Sequence, residues 1–169
     1  MPRVTYPMRA PLHVRPEPPL PDGTLVRPFT ADDARPFGDL MADAYAGTVD
    51  DPGEPRAWHH EEARRTIAGD FGRVDWGSSL VATTPAGALI GASIVTEHRQ
   101  LPLLAFAVVA AGWRNHGLGA ALIVRSANRL AAAGHLEWTL AVTVGNPAQR
   151  LYERLGFTID ERLRSNLSD

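Results

Sequence analysis

The chain has no cysteine, which excludes disulfides, thiol nucleophiles and thiolate metal sites. It has no apolar run approaching the ~18 residues that a membrane-spanning helix needs. The first residues, MPRVTYPMRAPLHVRPEPPLPDG, contain no apolar segment of the kind that directs secretion. A cytoplasmic protein that does not enter a membrane is therefore the expectation. Basic excess is missing too: the formal net charge is −2 at pH 7, so an extended nucleic-acid or anionic-membrane surface is not expected. The four tryptophans lack the basic surroundings of a base-stacking platform and read instead as core and pocket walls.

What is present suits one folded domain: 169 residues, 44% of them hydrophobic and 21% charged. Half of the 14 prolines precede Gly23. Proline fixes φ and removes a backbone donor, so residues 1–22 are expected to be an extended, helix-free extension. The domain proper is placed at 23–169. The extension either drapes over the surface or packs on the domain or on a second subunit, in which case a homodimer follows.

From Gly23 onward strand and helix patterns alternate. GTLVRPF reads as a strand, and Thr30 caps a helix whose apolar stripe includes Phe37, Leu40, Met41 and Tyr45. A turn-rich loop, GTVDDPGEP, leads to a second helix in EPRAWHHEEARRTIAGDF. SSLVATT, PAGALIGASIVTEHR and LPLLAFAVVA read as three successive antiparallel strands. A helix from Leu118 buries Leu122, Ile123, Ser126, Ala127 and Leu130, turns Arg125, Asn128 and Arg129 outward, and ends at Gly134. LEWTLAVTV is a buried strand, and NPAQRLYERLGF a short helix with Asn146 as cap and Pro147 at its first position. Within WHHEEARR, adjacent histidines cannot share a helix face and the His-Glu-x-x-His spacing is missing, so no metal site is expected.

One helix begins on two glycines, Gly117 and Gly119, although glycine costs roughly 1 kcal/mol against alanine in a helix. A helix N-terminus carries unpaired N–H groups and partial positive charge. Without side chains in the way, Gly117, Leu118, Gly119 and Ala120 can offer their amides to phosphate oxygens. Arg114, Asn115 and His116 flank the same loop. No Gly-Lys-Ser/Thr follows, which excludes a P-loop. A dinucleotide fingerprint is disfavoured because Leu122 fills its third small position and too little chain follows to finish a nucleotide-binding unit.

The run RNHGLGA from Arg114, an amphipathic helix, a strand and then NPAQRLYERLGF from Asn146 to Phe157 together resemble the GCN5-related N-acetyltransferase (GNAT) superfamily over roughly residues 24–159. MADAYAGTVDDPGE is similar to the acceptor-side loop of some of its members. The resemblance implies a single-domain α/β GNAT fold. Its sheet would be mixed and mostly antiparallel, with helices on both faces and a V-shaped splay between the fourth and fifth strands, Leu103–Val109 and Trp138–Val144. It implies acetyl-CoA as cofactor, with the pyrophosphate on the Gly117–Ala120 amides and the pantetheine arm along Ala107, Val108 and Val109. Asn146 would cap its helix, touch the cofactor, or do both. Tyr152 would protonate the departing thiolate. The acceptor, a small-molecule or protein amine, would meet Tyr45, Thr48, Asp50 and Asp51.

Members of the superfamily often keep a glutamate on the strand before the loop, and LPLLAFAVVAAGWRNHG has no acidic residue. Glu97 is the substitute expected as base, followed by His98; ordered water is the other route. The same gap keeps a non-catalytic acyl-CoA-binding sensor as the alternative to an acetyltransferase. Only twelve residues follow Phe157, enough for one strand and a fragment of another. The family usually finishes with two strands, and the last helps wall the acceptor pocket. Either that wall is reduced, or the extension or a second subunit completes it.

Overall fold

The computed structural model describes residues 3–164. Its strands are β1 (Thr5–Pro11), β2 (Leu25–Pro28), β3 (Leu80–Thr83), β4 (Leu89–His98), β5 (Leu101–Val109), β6 (Glu137–Thr143) and β7 (Thr158–Ile159). The helices are α1 (Ala34–Tyr45), α2 (Arg56–Ala68), α3 (Leu118–Ala132), α4 (Ala148–Arg154) and α5 (Glu161–Arg164). One sheet runs in the order β2-β3-β4-β5-β6-β1-β7. Every neighbouring pair is antiparallel except β5–β6. The elements expected from Gly23 to Phe157 are thus found, in order, in a mixed sheet covered on both faces.

Periodicity explains which face each helix covers. Phe37, Leu40, Met41 and Ala44 of α1 pack with Ala63 of α2 on Val81, Ala92, Ile94 and Val108 of the sheet. On the other face Leu118 and Leu122 of α3 meet Leu80, Ala82 and Ile90, while Ile123, Ala127 and Leu130 meet Val95, Trp138 and Leu140. A Cβ at Gly91 of β4 would lie 3.0 Å from Leu122 and 3.2 Å from Leu118, so the missing side chain lets α3 settle close to the sheet. At the start of α1, burial alone would raise the Asp33 carboxyl. The Arg27 guanidinium at 2.7 and 2.8 Å and the Thr30 N–H at 2.9 Å outweigh it and hold the group below its usual value.

Gly38 lies in the middle of α1, where a glycine is otherwise unfavourable. A Cβ there would fall 2.8 Å from Cα of His60 and 3.0 Å from the carbonyl of His59. Backbone cannot yield as a side chain end can. Gly38→Ala is therefore expected to push α2 outward and to cost about 1–3 kcal/mol despite alanine's better helix propensity. A thermal melt measures it, and a stability equal to or above that of the parent would show that the two helices are not in forced contact.

The proline-rich stretch is extended and helix-free, as expected, and of the two placements considered it packs on the domain. The boundary drawn at residue 22 cuts through a structural unit that begins earlier, because β1 lies within the sheet between β6 and β7. It pairs residue for residue with β6, from Thr5↔Thr143 to Pro11↔Glu137. The Val144 N–H donates to Val4 O and the Leu12 N–H to Leu136 O. With a period of two, even-numbered residues of β1 thus turn their N–H and C=O groups toward β6 and odd-numbered ones away. Pro7 and Pro11 are both odd. Their missing N–H groups fall on the side where β7 pairs only Met8 and Arg9, so neither proline removes a bond from the long ladder.

After β1 the chain crosses the α3 face as a strap. The Asn128 amide accepts from Arg15 N–H at 3.0 Å and donates to Arg15 O at 2.8 Å. Arg125 donates to Pro18 O at 2.9 Å and pairs with Glu17 at 3.2 Å. Residues that face outward from α3 are therefore spent on holding the strap. At the other end β7 is two residues long and is followed by the short helix α5 where a second strand fragment was expected; residues 165–169 of that tail lie outside the described residues.

Candidate functional site

The sheet opens where β5 and β6 run parallel. Only Leu103↔Thr139 pairs the two strands, and beyond it they diverge. On β5 the Ala110 N–H donates to Ile90 O, so even-numbered Val108 also turns its backbone to β4. Ala107 and Val109 turn theirs into the gap. On β6 the even residues serve β1, which leaves Ala141 facing the same gap. A β-bulge interrupts the β4–β5 register between Ile94 and Val95, leaving Ala105 as the extra residue and bending β5 away. Of the three β5 residues expected along a cofactor, Ala107 and Val109 have free backbone groups in the V. Val108 has its backbone committed to β4, because successive residues point to opposite neighbours.

At one end of this gap lies the start of α3. Gly117 has φ +82°, and Asn115 before it φ +64°, a left-handed conformation that glycine adopts without steric cost. A Cβ on Gly117 would meet nothing within 4 Å, so the approach from outside is open. The Cβ direction at Gly119 points toward Val109 at 3.5 Å and Leu151 at 3.8 Å; a larger side chain would fill the space between β5 and α4. The first backbone bond of the helix is Ala121 N–H to Gly117 O. Among the described residues, the amides of Asn115, His116, Gly117, Leu118, Gly119 and Ala120 have no protein partner. Six free donors at a dipole's positive end suit an anion. The Arg114 side chain is differently placed: its Nη2 donates to Ala44 O in the last turn of α1. It ties the loop to the end of that helix, whose last carbonyls lack helical partners.

Toward the other end the gap widens into a cavity of about 260 Å³. Its walls come from Ala105, Phe106 and Ala107 of β5, Ala141 and Thr143 of β6, Met41 and Tyr45 of α1, Trp58, His59 and Glu62 of α2, Tyr152 of α4, and Arg3 and Asp50. Tyr152 is buried and its ring packs against Phe157, centroids 6.1 Å apart. Its hydroxyl has no hydrogen-bond partner among the described residues. Burial, reinforced by the negative charge of Asp50, pushes that phenol up to about 12. Burial and Asp50 likewise raise Tyr45. Both tyrosines stay protonated at neutral pH.

Asp50 joins the loop after α1 to the splayed strands. Its Oδ1 accepts from Thr143 Oγ1 at 2.7 Å and its Oδ2 from Asn146 Nδ2 at 2.8 Å. Arg3 reaches its carbonyl at 2.6 Å and its carboxylate at 3.8 Å. Asn146 in turn accepts the Ala148 N–H at 2.9 Å, so one amide both caps α4 and holds the loop. Thr48 does not line the cavity: its hydroxyl donates to Tyr45 O at 2.8 Å and accepts from Asp50 N–H at 3.2 Å, finishing α1. Asp51 accepts from Gly47 and Gly53 amides and shapes the loop from outside.

The expected base is not in the cavity. Glu97 stands opposite Pro102 at the β4–β5 hairpin end, and His98 beside it. The Glu97 carboxylate is 49% exposed and bonds Arg73 at 2.8 Å. Reading it as a substitute presumed that the end of β4 reaches the gap; the hairpin carries it away. Among the cavity residues that the sequence reading did not place at the site are Arg3, Glu62 and His59. His59 shares the inward stripe of α2 with Ala63 and Thr66, and that i, i+4, i+7 spacing was the available signal. Among the described residues no group of three or more His, Asp or Glu is placed to hold a metal, and no helix is long and apolar enough to cross a membrane.

Residues 75–159, half of the chain, match the acetyltransferase (GNAT) domain family. A GCN5-related N-acetyltransferase from Sphaerobacter thermophilus has the same fold, with a TM-score of 0.73 at 22% identity over 92% of this chain and 48% of that one. A tandem GNAT protein of the clavulanic acid biosynthesis pathway gives 0.70 at 19% identity, over 93% and 50%. The PaiA N-acetyltransferase of Thermoplasma acidophilum, solved in complex with coenzyme A, gives 0.65 at 16% identity, over 81% and 91%. The chain spans about half the length of the first two structures. A comparison with curated proteins finds no match.

Proposed function

The chain belongs to the GNAT acetyltransferase family, and from that premise we propose that it transfers the acetyl group of acetyl-CoA directly to a primary amine of a small molecule or a protein. One observation supports this above the others. The unpartnered amides from Asn115 to Ala120 open onto the unpaired backbone of Ala107, Val109 and Ala141, and that gap leads to the Tyr152 hydroxyl.

The residues fit the donor substrate. A diphosphate matches the six amides in charge and in hydrogen-bond sense. The pantetheine amides match the unpaired backbone groups of Ala107 and Val109, as an added strand would. The thioester then lies in the cavity beside Tyr152, whose phenol donates to the sulfur as it leaves. Holding amine and thioester together in a walled cavity supplies the larger share of the rate. Attack is direct, since the chain has no cysteine to carry an acyl group. Tyr45 and Glu62 mark the acceptor side, and the carboxylate favours a cationic amine.

Two measurements on the full chain test this. Titration calorimetry is expected to show heat on adding CoA. Thiol release from acetyl-CoA is expected to depend on an added amine from a panel of primary amines and lysine peptides. No heat from CoA overturns the assignment. Binding without turnover on any amine replaces the transferase with an acyl-CoA-binding sensor.

A further inference from the structure

The cavity contains a buried base that has no partner among the described residues. His59 is 3% exposed and lines the cavity with Tyr152. Among the described residues neither ring nitrogen has a hydrogen-bond partner, and Nδ1 is enclosed by protein, which leaves Nε2 as the accessible one. Its neighbour has a partner: His60 Nε2 lies 2.7 Å from Asp39 Oδ1, at the contact between α2 and α1. An unsatisfied buried nitrogen costs about 1–3 kcal/mol, and such a group in a folded protein calls for a ligand or a catalytic use. We infer that the His59 imidazole takes the proton that the acceptor nitrogen sheds as it is acylated. This rests on the transferase reading above.

The other polar groups of the cavity are engaged or of the wrong kind. Both Asp50 oxygens accept hydrogen bonds from Thr143 and Asn146. Glu62 pairs with Arg65 at 3.1 Å. Arg3 is a cation, and Tyr45 and Tyr152 are held protonated. His59 is fixed by packing instead, with the Trp58 ring edge-on at 5.1 Å between centroids and the Tyr45 ring at 6.4 Å. Burial lowers its basicity first. Arg56 and His60 push the same way, while Asp51 and Glu62 oppose. The net direction is down from the usual value near 6.5, so at pH 7 the ring is neutral, as a proton acceptor must be.

The step balances without any further reactant. The lone pair of the neutral amine forms the C–N bond to the thioester carbon. One proton passes from that nitrogen to the imidazole, the C–S electron pair leaves with sulfur, and the imidazolium returns its proton through solvent to the thiolate. Proton acceptance of this sort is worth about 10²–10⁴ in rate.

The test uses an amine that the parent protein acetylates and follows kcat against pH. In the parent, kcat is expected to fall on the acid side about a midpoint below 6.5, and that midpoint should stay in place when a second amine of different basicity is used. His59→Gln is expected to lower kcat about 10²–10⁴-fold, to abolish the acid limb and to leave CoA binding by calorimetry within a few-fold. His59→Ala, whose missing ring leaves room, should regain part of its rate with added imidazole, while His60→Gln keeps the limb. A His59→Gln protein that binds CoA and retains kcat within about three-fold overturns the inference, as does an unchanged limb. If His59→Gln fails to bind CoA, imidazole rescue of His59→Ala decides: recovery supports the role and its failure ends it. A parent protein that binds CoA but turns over no amine sinks the transferase reading itself, a different outcome from turnover that ignores His59.

Discussion

Removing residues 1–21 is expected to abolish cooperative folding rather than to trim a surface tail. The deleted segment contains β1, which stands between β6 and β7 and carries Met8 and Ala10, 0% and 1% exposed, into the core beneath α3 and α4. Truncating one such buried Met costs about 2–5 kcal/mol, against a total stability of roughly 5–15 kcal/mol for a domain. The deletion also strips β6 of its ladder from Glu137 to Thr143 and leaves β7 without a neighbour. It takes Arg3 from Asp50 and the strap from Asn128 and Arg125 as well. Circular dichroism on a chain starting at Asp22 should show no sharp thermal transition. A synthetic peptide of residues 1–21 should restore one, since an added strand regains both ladder and packing. A truncated chain that melts within a few degrees of the full one would show that β1 contributes little.

The strand was illegible for a physical reason. Proline normally marks a segment as edge strand or loop, and four prolines between residues 16 and 21 reinforce that reading of the whole stretch. The separation of Pro7 and Pro11 by an even number of residues was the countersignal. It puts both on one side of a strand, where a single unpaired edge absorbs them. By contrast α1 and α3 announced themselves because each buries one face at the helical period, and β3 and β4 because they are short apolar runs bounded by turn residues. Helix α3 was legible down to its anomaly: Gly117 takes a positive φ with nothing within 4 Å of a Cβ there, and Gly119 faces Val109 and Leu151.

The site was legible where it is made of local backbone and illegible where distant elements meet. Gly117 to Ala120 and Tyr152 belong to short contiguous patterns. Asp50 meeting Asn146 links positions 96 residues apart, and Arg114 reaching Ala44 links positions 70 apart. No local periodicity encodes such contacts. Arg114 shows the consequence: a cation beside a phosphate loop is naturally assigned to the phosphate, yet its guanidinium closes the end of α1. The loop with the open amides and the helix that walls the cavity therefore share one side chain.

Replacing Tyr152 with phenylalanine is expected to lower kcat by about 10²–10³ while CoA affinity changes by no more than a few-fold. The ring remains, so its packing on Phe157 survives, and only the unpartnered hydroxyl is lost. The size follows from what that hydroxyl can do. Its pKa of about 12 lies some 3.5 units above an ordinary thiol near 8.5. Handing the proton over completely to a thiolate would then cost about 5 kcal/mol at ~1.4 kcal/mol per unit. The phenol is thus a hydrogen-bond donor to charge developing on sulfur, and loss of one such donor from a closed site costs about 10²–10³ in rate. The same argument fixes the pH behaviour. Burial and Asp50 both raise Tyr152, so its hydroxyl keeps its proton until about pH 12 and imposes no alkaline limb on kcat between pH 7 and 10. Steady-state thiol release across that range, with parent and Tyr152→Phe compared at saturating acetyl-CoA, measures both effects. Undiminished kcat in the variant removes Tyr152 from the chemistry. An alkaline limb present in the parent and absent from the variant would show instead that the phenol ionises within the working range and that Asp50 and burial do not hold it protonated.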